Sequence, residues 1–399
     1  MNQIARVPFG GHPGEDVEDR VPDPVDRGLW PGDGPVFTRD SLDGLFVWAY
    51  RLGASDIRLQ TNRPVFVQLH GRLRPVTSRT LTDTEVEEAV NRLYGSDGQA
   101  RLKGGADFDV SYEVLPDRRT RMRFRVNATG ILSRGDDGAA VVARTLPSKA
   151  PALASLHLEP GILEAFKPKD GIVLVAGGTG NGKSTLLAAM VRDMLEEPDS
   201  HRAILEYAAP TEFVFDDVRS DTATIEQSEV PRHLPSFSAA IRNAMRRAPD
   251  AIVVGECRDE ETMTAAVDAA ITQHLVLTTI HAGRNTDTLQ RVVSLCPDGK
   301  RRALTVAFAQ SLRLIVNQRL VPSTDGKRTP LREFLVFDTA LRRRFLDTEP
   351  DRWPALAQDV LDAGRHGQSF GVATRRALAE GRITEDEAHA RLKEWGYVA

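Results

Sequence analysis

The stretch from Val173 to Met190, VLVAGGTGNGKSTLLAAM, constrains this 399-residue chain more than any other. An apolar run enters a loop holding four glycines, then a lysine and two hydroxyls lead into helix-forming residues. Glycines in such a turn let backbone N–H groups approach an anion with no side chain in the way. A helix that begins there adds the positive end of its dipole. Gly177, four intervening residues and then Gly182-Lys183-Ser184 satisfy the phosphate-loop pattern, in the strand-to-helix context that its mechanism requires. Gly177, Gly178, Thr179, Gly180, Asn181, Gly182, Lys183, Ser184 and Thr185 are therefore expected to bind a nucleotide. Lys183 would meet the outer phosphates and Ser184 a magnesium ion, so ATP and Mg2+ are the implied cofactors.

The surroundings of the loop predict its fold class. Over residues 161–340, short apolar runs (GIVLVA, RAILE, AIVVGE, LVLTTI) alternate with helical patterns. A parallel sheet covered by helices on both faces requires such runs, which makes the core α/β. Residues 37–148 instead mix alternating strand-like segments with one helical stretch, DTEVEEAVNRLYG, and read as a smaller α+β domain with a mainly antiparallel sheet. Within TRMRFRVN, period-two alternation puts Met122, Phe124 and Val126 on a buried face and Arg121, Arg123, Arg125 and Asn127 on the other.

A proline-punctuated stretch, 149–160, reads as a linker or hinge. Residues 341–399 read as a helical extension, with Thr384 placed three residues before Glu387 to cap its last helix. Six Pro, six Gly and many acidic residues mark 1–36 as a disordered lead-in.

Composition narrows the partners. The 52 basic and 56 acidic residues leave a formal charge of -4, which gives no global reason to expect nucleic acid or an acidic membrane as the main partner. Two cysteines, Cys257 and Cys296, suffice neither for a disulfide framework nor for a four-cysteine zinc module, so a reducing cytoplasm fits best. No apolar run approaches the roughly 18 to 20 residues that span a bilayer, and the start of the chain lacks a signal-peptide core. A membrane location would then come through a partner.

Further candidates lie downstream of the loop. A short strand, Ile252 to Val254, leads into Gly255-Glu256, where phosphate-loop enzymes place an acidic residue facing the magnesium and the attacking water. Gly255 stands where the magnesium aspartate is usual, so Glu256 would serve as the water-polarising base or as a metal partner. Glu206 and Glu212 flank the end of another strand, where an open α/β sheet binds its ligand. Arg242 and Arg246, four apart, share a helix face. His274 and His281 bracket LVLTTI; as a strand, these residues would hold the two imidazoles about 23 Å apart at roughly 3.3 Å per residue. That spacing excludes one shared metal and leaves a strand end pointing at the nucleotide cleft.

Four motifs in this order resemble those of the secretion and pilus-motor ATPases of type II secretion, type IV pili and type IV secretion. They are the phosphate loop, the acidic box EYAAPTEF, the VVGECRDEET segment and the histidine box from His274 to His281. The likeness extends to SDI near Ser55, RFRVN at 123–127 and QRL at 318–320. EYAAPTEFVFD and QSEVPRHLPSF are more similar to the DotB and TraJ branch, which serves type IVB secretion and plasmid conjugation. Two departures from the family pattern are Gln273, where glycine is usual, and Ile280, which replaces a leucine.

The resemblance implies a RecA-like phosphate-loop core, a PAS-like N-terminal domain and a homo-hexameric ring that hydrolyses ATP. It implies inner-membrane secretion or conjugation machinery as the partner, with the ring peripheral to the cytoplasmic face. By this likeness Lys183, Glu256, Glu206, Glu212, His274, His281, Arg242 and Arg246 are catalytic, and Arg121, Arg123 or Arg125 reaches bound phosphates. A pilus assembly or retraction ATPase, a DNA-translocating RecA-like ATPase and a nucleotide switch without hydrolysis remain as alternatives.

Overall fold

The computed structural model describes Ala5–Arg6 and residues 28–397 apart from 119 and 148. The chain divides into two compact units, residues 1–148 and 149–399.

The first unit is built from β1 (Ala5–Arg6), α1 (Arg39–Arg51), β2 (Asp56–Gln60), β3 (Phe66–Leu69), β4 (Arg72–Pro75), α2 (Asp83–Tyr94), α3 (Gly98–Lys103), β5 (Phe108–Leu115), β6 (Met122–Ser133) and β7 (Asp136–Leu146). Its sheet runs β1-β5-β6-β7-β2-β3-β4 and is antiparallel except where β1 joins β5. Leu42, Phe46 and Val90 from the helices bury the sheet's apolar face, Phe124 packing on Phe46 with ring centroids 4.7 Å apart.

Helix α2 begins in a capping box, Thr82 accepting from Glu85 N and the Glu85 carboxylate accepting from Thr82 N at 2.8 Å. Burial alone would raise the Glu85 pKa. Hydrogen bonds from Arg79, Thr82 and Phe37 N outweigh it and hold the group at about 2. The expected disordered lead-in, 1–36, lies mostly outside the described residues. Its described end is anchored, with Trp30 buried and its N–H donating to Val76 O at 2.7 Å.

Alternation along β6 holds for buried Met122, Phe124 and Val126, and Arg123, on the opposite face, is also buried at 3% exposure. It sits in mid-sheet, opposite Glu113 on one side and Leu146 on the other. Glu113, 3.8 Å away, supplies the opposite charge that such burial needs.

The second unit contains α4 (Pro160–Ala165), β8 (Gly171–Ala176), α5 (Lys183–Glu196), β9 (Ala203–Ala208), β10 (Thr224–Glu229), α6 (Phe237–Ala244), β11 (Ala251–Val254), α7 (Glu260–Ile271), β12 (Leu275–Ile280), α8 (Asn285–Ser294), α9 (Arg301–Ser311), β13 (Leu312–Pro322) and β14 (Arg328–Val336). It continues through α10 (Thr339–Leu346), α11 (Trp353–Ala363), β15 (Gly367–Gln368), α12 (Phe370–Ala379) and α13 (Glu385–Glu394). Its sheet order is β10-β9-β11-β12-β8-β13-β14-β15, parallel through β13 and antiparallel beyond. Every residue of β8, β11 and β12 is buried, as strands covered on both faces must be. One face packs on α6 to α9, the other on α4 and α5.

The segments on either side of 161–340 also pack into this unit. Ala150, Leu153 and Leu158 of the proline-punctuated stretch are buried in the α4–α5 core. Beyond residue 340, Leu341, Phe345, Trp353 and Val360 join the opposite core, and β15 pairs with β14. The last two helices close a smaller cluster on Val321 and Leu331, and Thr384 accepts from Glu387 N at 3.2 Å as expected. Among the described residues, no helix is long and apolar enough to cross a membrane.

Candidate active site

Because β8, β9, β11 and β12 run parallel, their carboxyl ends fall at one edge of the sheet. Register places Ala176 beside Ile280, and Val254 between Thr278 and Tyr207. The phosphate loop leaves that edge from Ala176 and returns as α5. Its tightness explains its glycines: a Cβ on Gly177 would lie 2.5 Å from Gln318 O, and Gly177 and Gly182 have φ of 150° and 74°.

Lys183 opens α5 and is 8% exposed. Its Nζ donates to Gly178 O at 3.1 Å and lies 3.5 Å from His281 Nδ1. Burial lowers the Lys183 pKa, while the charges of Glu256 and Glu212 pull it back up. On its other side His281 approaches Glu256, Nε2 to Oε1 being 3.4 Å. A cation, an imidazole and a carboxylate thus stand in line where three strands end.

The peptide ahead of Glu256 is fixed. Gly255 N donates to Tyr207 O at 2.7 Å, and Thr279 Oγ1 donates to Gly255 O at 2.6 Å. Any side chain at 255 would press on Tyr207 O and Ala208 Cα, both 3.3 Å from a Cβ there. That contact explains why this position holds glycine. Cys257 is buried beside it, and burial pushes its thiol up to about 12, so it stays neutral.

The acidic box is held from the neighbouring strand. Gln227 on β10, paired with Glu206 in register, donates to the Glu206 carboxylate and, at 2.8 Å, to Phe213 O. This clamps the loop carrying Glu212. His274 lies elsewhere: its carbonyl receives Gly171 N, at the start of β8, and its Nδ1 is 3.2 Å from both Ala269 O and Thr272 Oγ1. It closes the end of α7 at the amino end of β12, so in this chain the structure does not bring it to Lys183.

Arg242 is exposed on α6, 3.5 Å from Ser238 Oγ, and Arg246 is exposed just past the helix end. In the first unit Arg121 and Arg123 pair with Glu113, at 3.3 and 3.8 Å, and Arg125 with Asp109 at 2.5 Å. Sequence reasoning assigned no role to Gln227, Gln318 or Arg332. The QRL segment at 318–320 was the only signal for Gln318.

Residues 45–390 match the type II/IV secretion system protein family. The chain belongs to that family. It is 32% identical over 355 residues to the type IV pilus retraction ATPase PilT of Pseudomonas aeruginosa, covering 88% of this chain and 97% of the relative. The crystal structure of the Legionella pneumophila ATPase DotB superposes with a TM-score of 0.85 at 38% identity, covering 92% of this chain and 99% of that one. The pilus retraction motor PilT with bound ADP gives 0.73 at 30% identity, covering 87% and 95%. The expected fold, a RecA-like core preceded by a smaller N-terminal domain, is the one shared with these ATPases.

Proposed function

We propose that this chain is an ATP-hydrolysing motor, assembled as a homo-hexamer, that powers a type IVB-like secretion machine or conjugative plasmid transfer. The observation that carries hydrolysis is the line Lys183–His281–Glu256, with separations of 3.5 and 3.4 Å, at the mouth of the phosphate loop. A binding module needs the lysine alone; a carboxylate held beside it suits a water attacking the terminal phosphate.

The loop fits a nucleoside triphosphate, since its glycines keep the cradle free of side chains. Lys183, whose pKa burial lowers, regains a full counter-charge from phosphate oxygens. Glu256 orients water and accepts its proton, while His281 holds the carboxylate in place. Among the described residues no cluster of His, Cys, Asp and Glu forms a metal cage, so Mg2+ would rest on Ser184 and the phosphates. When bound, it would neutralise charge on the transferred group.

Arg242 and Arg246, and one of Arg121 and Arg125, are proposed to reach phosphates as the ring closes. Arg123 is the weaker choice because its side chain is 4% exposed, against 40% for Arg125. The ring is proposed to sit at the cytoplasmic face of the inner membrane through its machinery.

The greater identity to DotB, 38% against 30% for the PilT structure, supports the secretion or conjugation role. A pilus retraction motor is the second reading, supported by the near-full-length likeness to P. aeruginosa PilT. Purified protein should release phosphate from MgATP; a preparation without turnover at any oligomeric size would overturn the motor. Deleting the gene should abolish effector or plasmid transfer, whereas loss of surface motility alone would favour the pilus reading.

A further inference from the structure

The phosphate loop has a second set of partners on the adjacent strand. Gln318 of β13 is 5% exposed, and its Nε2 donates to Asn181 O at 2.8 Å and Gly182 O at 3.2 Å. A peptide unit is rigid, with C=O and N–H pointing opposite ways. Holding these two carbonyls therefore turns the N–H groups of Gly182 and Lys183 away from Gln318, toward the open side of the loop. Leu320 N adds a bond to Asn181 Oδ1 at 3.1 Å.

Only one orientation of the Gln318 amide can do this. Its Oε1 accepts from Arg332 Nε at 2.8 Å, directly across the β13–β14 pair. A guanidinium can only donate, so Arg332 selects that orientation. A flipped amide would set its oxygen against two carbonyl oxygens and its NH2 against the guanidinium.

Arg332, 2% exposed, spends its remaining donors on Leu156 O at 2.9 Å, His157 O at 3.2 Å and Glu159 Oε2 at 3.3 Å. These acceptors lie in the stretch that follows the first unit, which ends at residue 148. Gln368 braces both, donating to Glu159 Oε1 and Arg332 O at 3.0 Å each.

We infer that Arg332 is a positioning residue and that Gln318 and Arg332 form a relay coupling occupancy of the phosphate loop to residues 156–159. The inference rests on the nucleotide-binding reading of that loop. A displacement of 156–159 moves the guanidinium, which loosens the amide and lets the loop carbonyls turn. By reciprocity, a phosphate that orders the loop stiffens 156–159.

The test uses the full chain and the variants Gln318→Met, Arg332→Met and both together, each checked for folding by its thermal transition. Arg332→Lys replaces Arg332→Met in the cycle if the latter does not fold. Fluorescent ADP titration should show each single change weakening binding by about tenfold, the double change being no worse than Gln318→Met. At saturating ADP, hydrogen exchange across 156–159 should slow in the wild type and not in Gln318→Met. Wild-type affinity in the single variants, additive losses in the double one, or full ADP protection of 156–159 in Gln318→Met would each overturn the relay. A wild-type protein that binds no ADP would instead overturn the nucleotide reading, and the relay with it.

Discussion

His274 and His281 stand at the two ends of one buried strand, and only His281 touches the phosphate-loop lysine. The chemistry of the two side chains is identical, so the difference comes from strand polarity. In a parallel sheet the carboxyl ends collect loops from several strands, bringing Lys183, Glu256 and His281 together from positions far apart in the chain. At the amino end of β12, His274 instead meets the end of α7 and the start of β8.

Experiments can break this contrast in order of expected effect. Lys183→Ala should reduce phosphate release to background, since it removes the cation that the phosphate loop holds through Gly178 O; full activity would dissolve the cleft end as a site. Glu256→Gln should still bind ATP in a fluorescence titration, while single-turnover hydrolysis falls by about 10^2 to 10^4. His281→Ala should leave nucleotide affinity within a few-fold and lower kcat by about tenfold to 100-fold, because the carboxylate loses its brace.

At the opposite end, His274→Ala should leave kcat unchanged. Its urea midpoint should correspond to a loss of about 1 kcal/mol or less, the worth of hydrogen bonds at a half-exposed turn. If His274→Ala instead abolished turnover while remaining folded, this residue would have to act across a subunit boundary.

What could be read from the chain follows from the range over which each feature is specified. The phosphate loop is local: its glycines, lysine and hydroxyls are contiguous, and the surrounding runs already specify strand, turn and helix. The position of His281 at the strand's far end follows from strand length, and that of Glu256 from the strand before it. The burial of Arg123 was not legible, because alternation tells which face a residue takes and not whether that face is covered.

Gln318 and Arg332 were beyond reach for a related reason. They meet only because β13 turns back as β14, and the register of that pair is a tertiary property. Where the tail packs is likewise hidden, because a two-residue strand leaves no periodic trace and the helices' apolar faces do not name the surface they cover.

That small strand has a practical consequence. β14 is nine residues long and carries Phe334 and Leu335 where β15 pairs with it, while α12 packs over its other part. A chain ended near residue 340 would leave this strand as the border of the sheet, with bare N–H and C=O groups ready to recruit another molecule. Such a shortened protein is expected to precipitate on expression even with its phosphate loop intact.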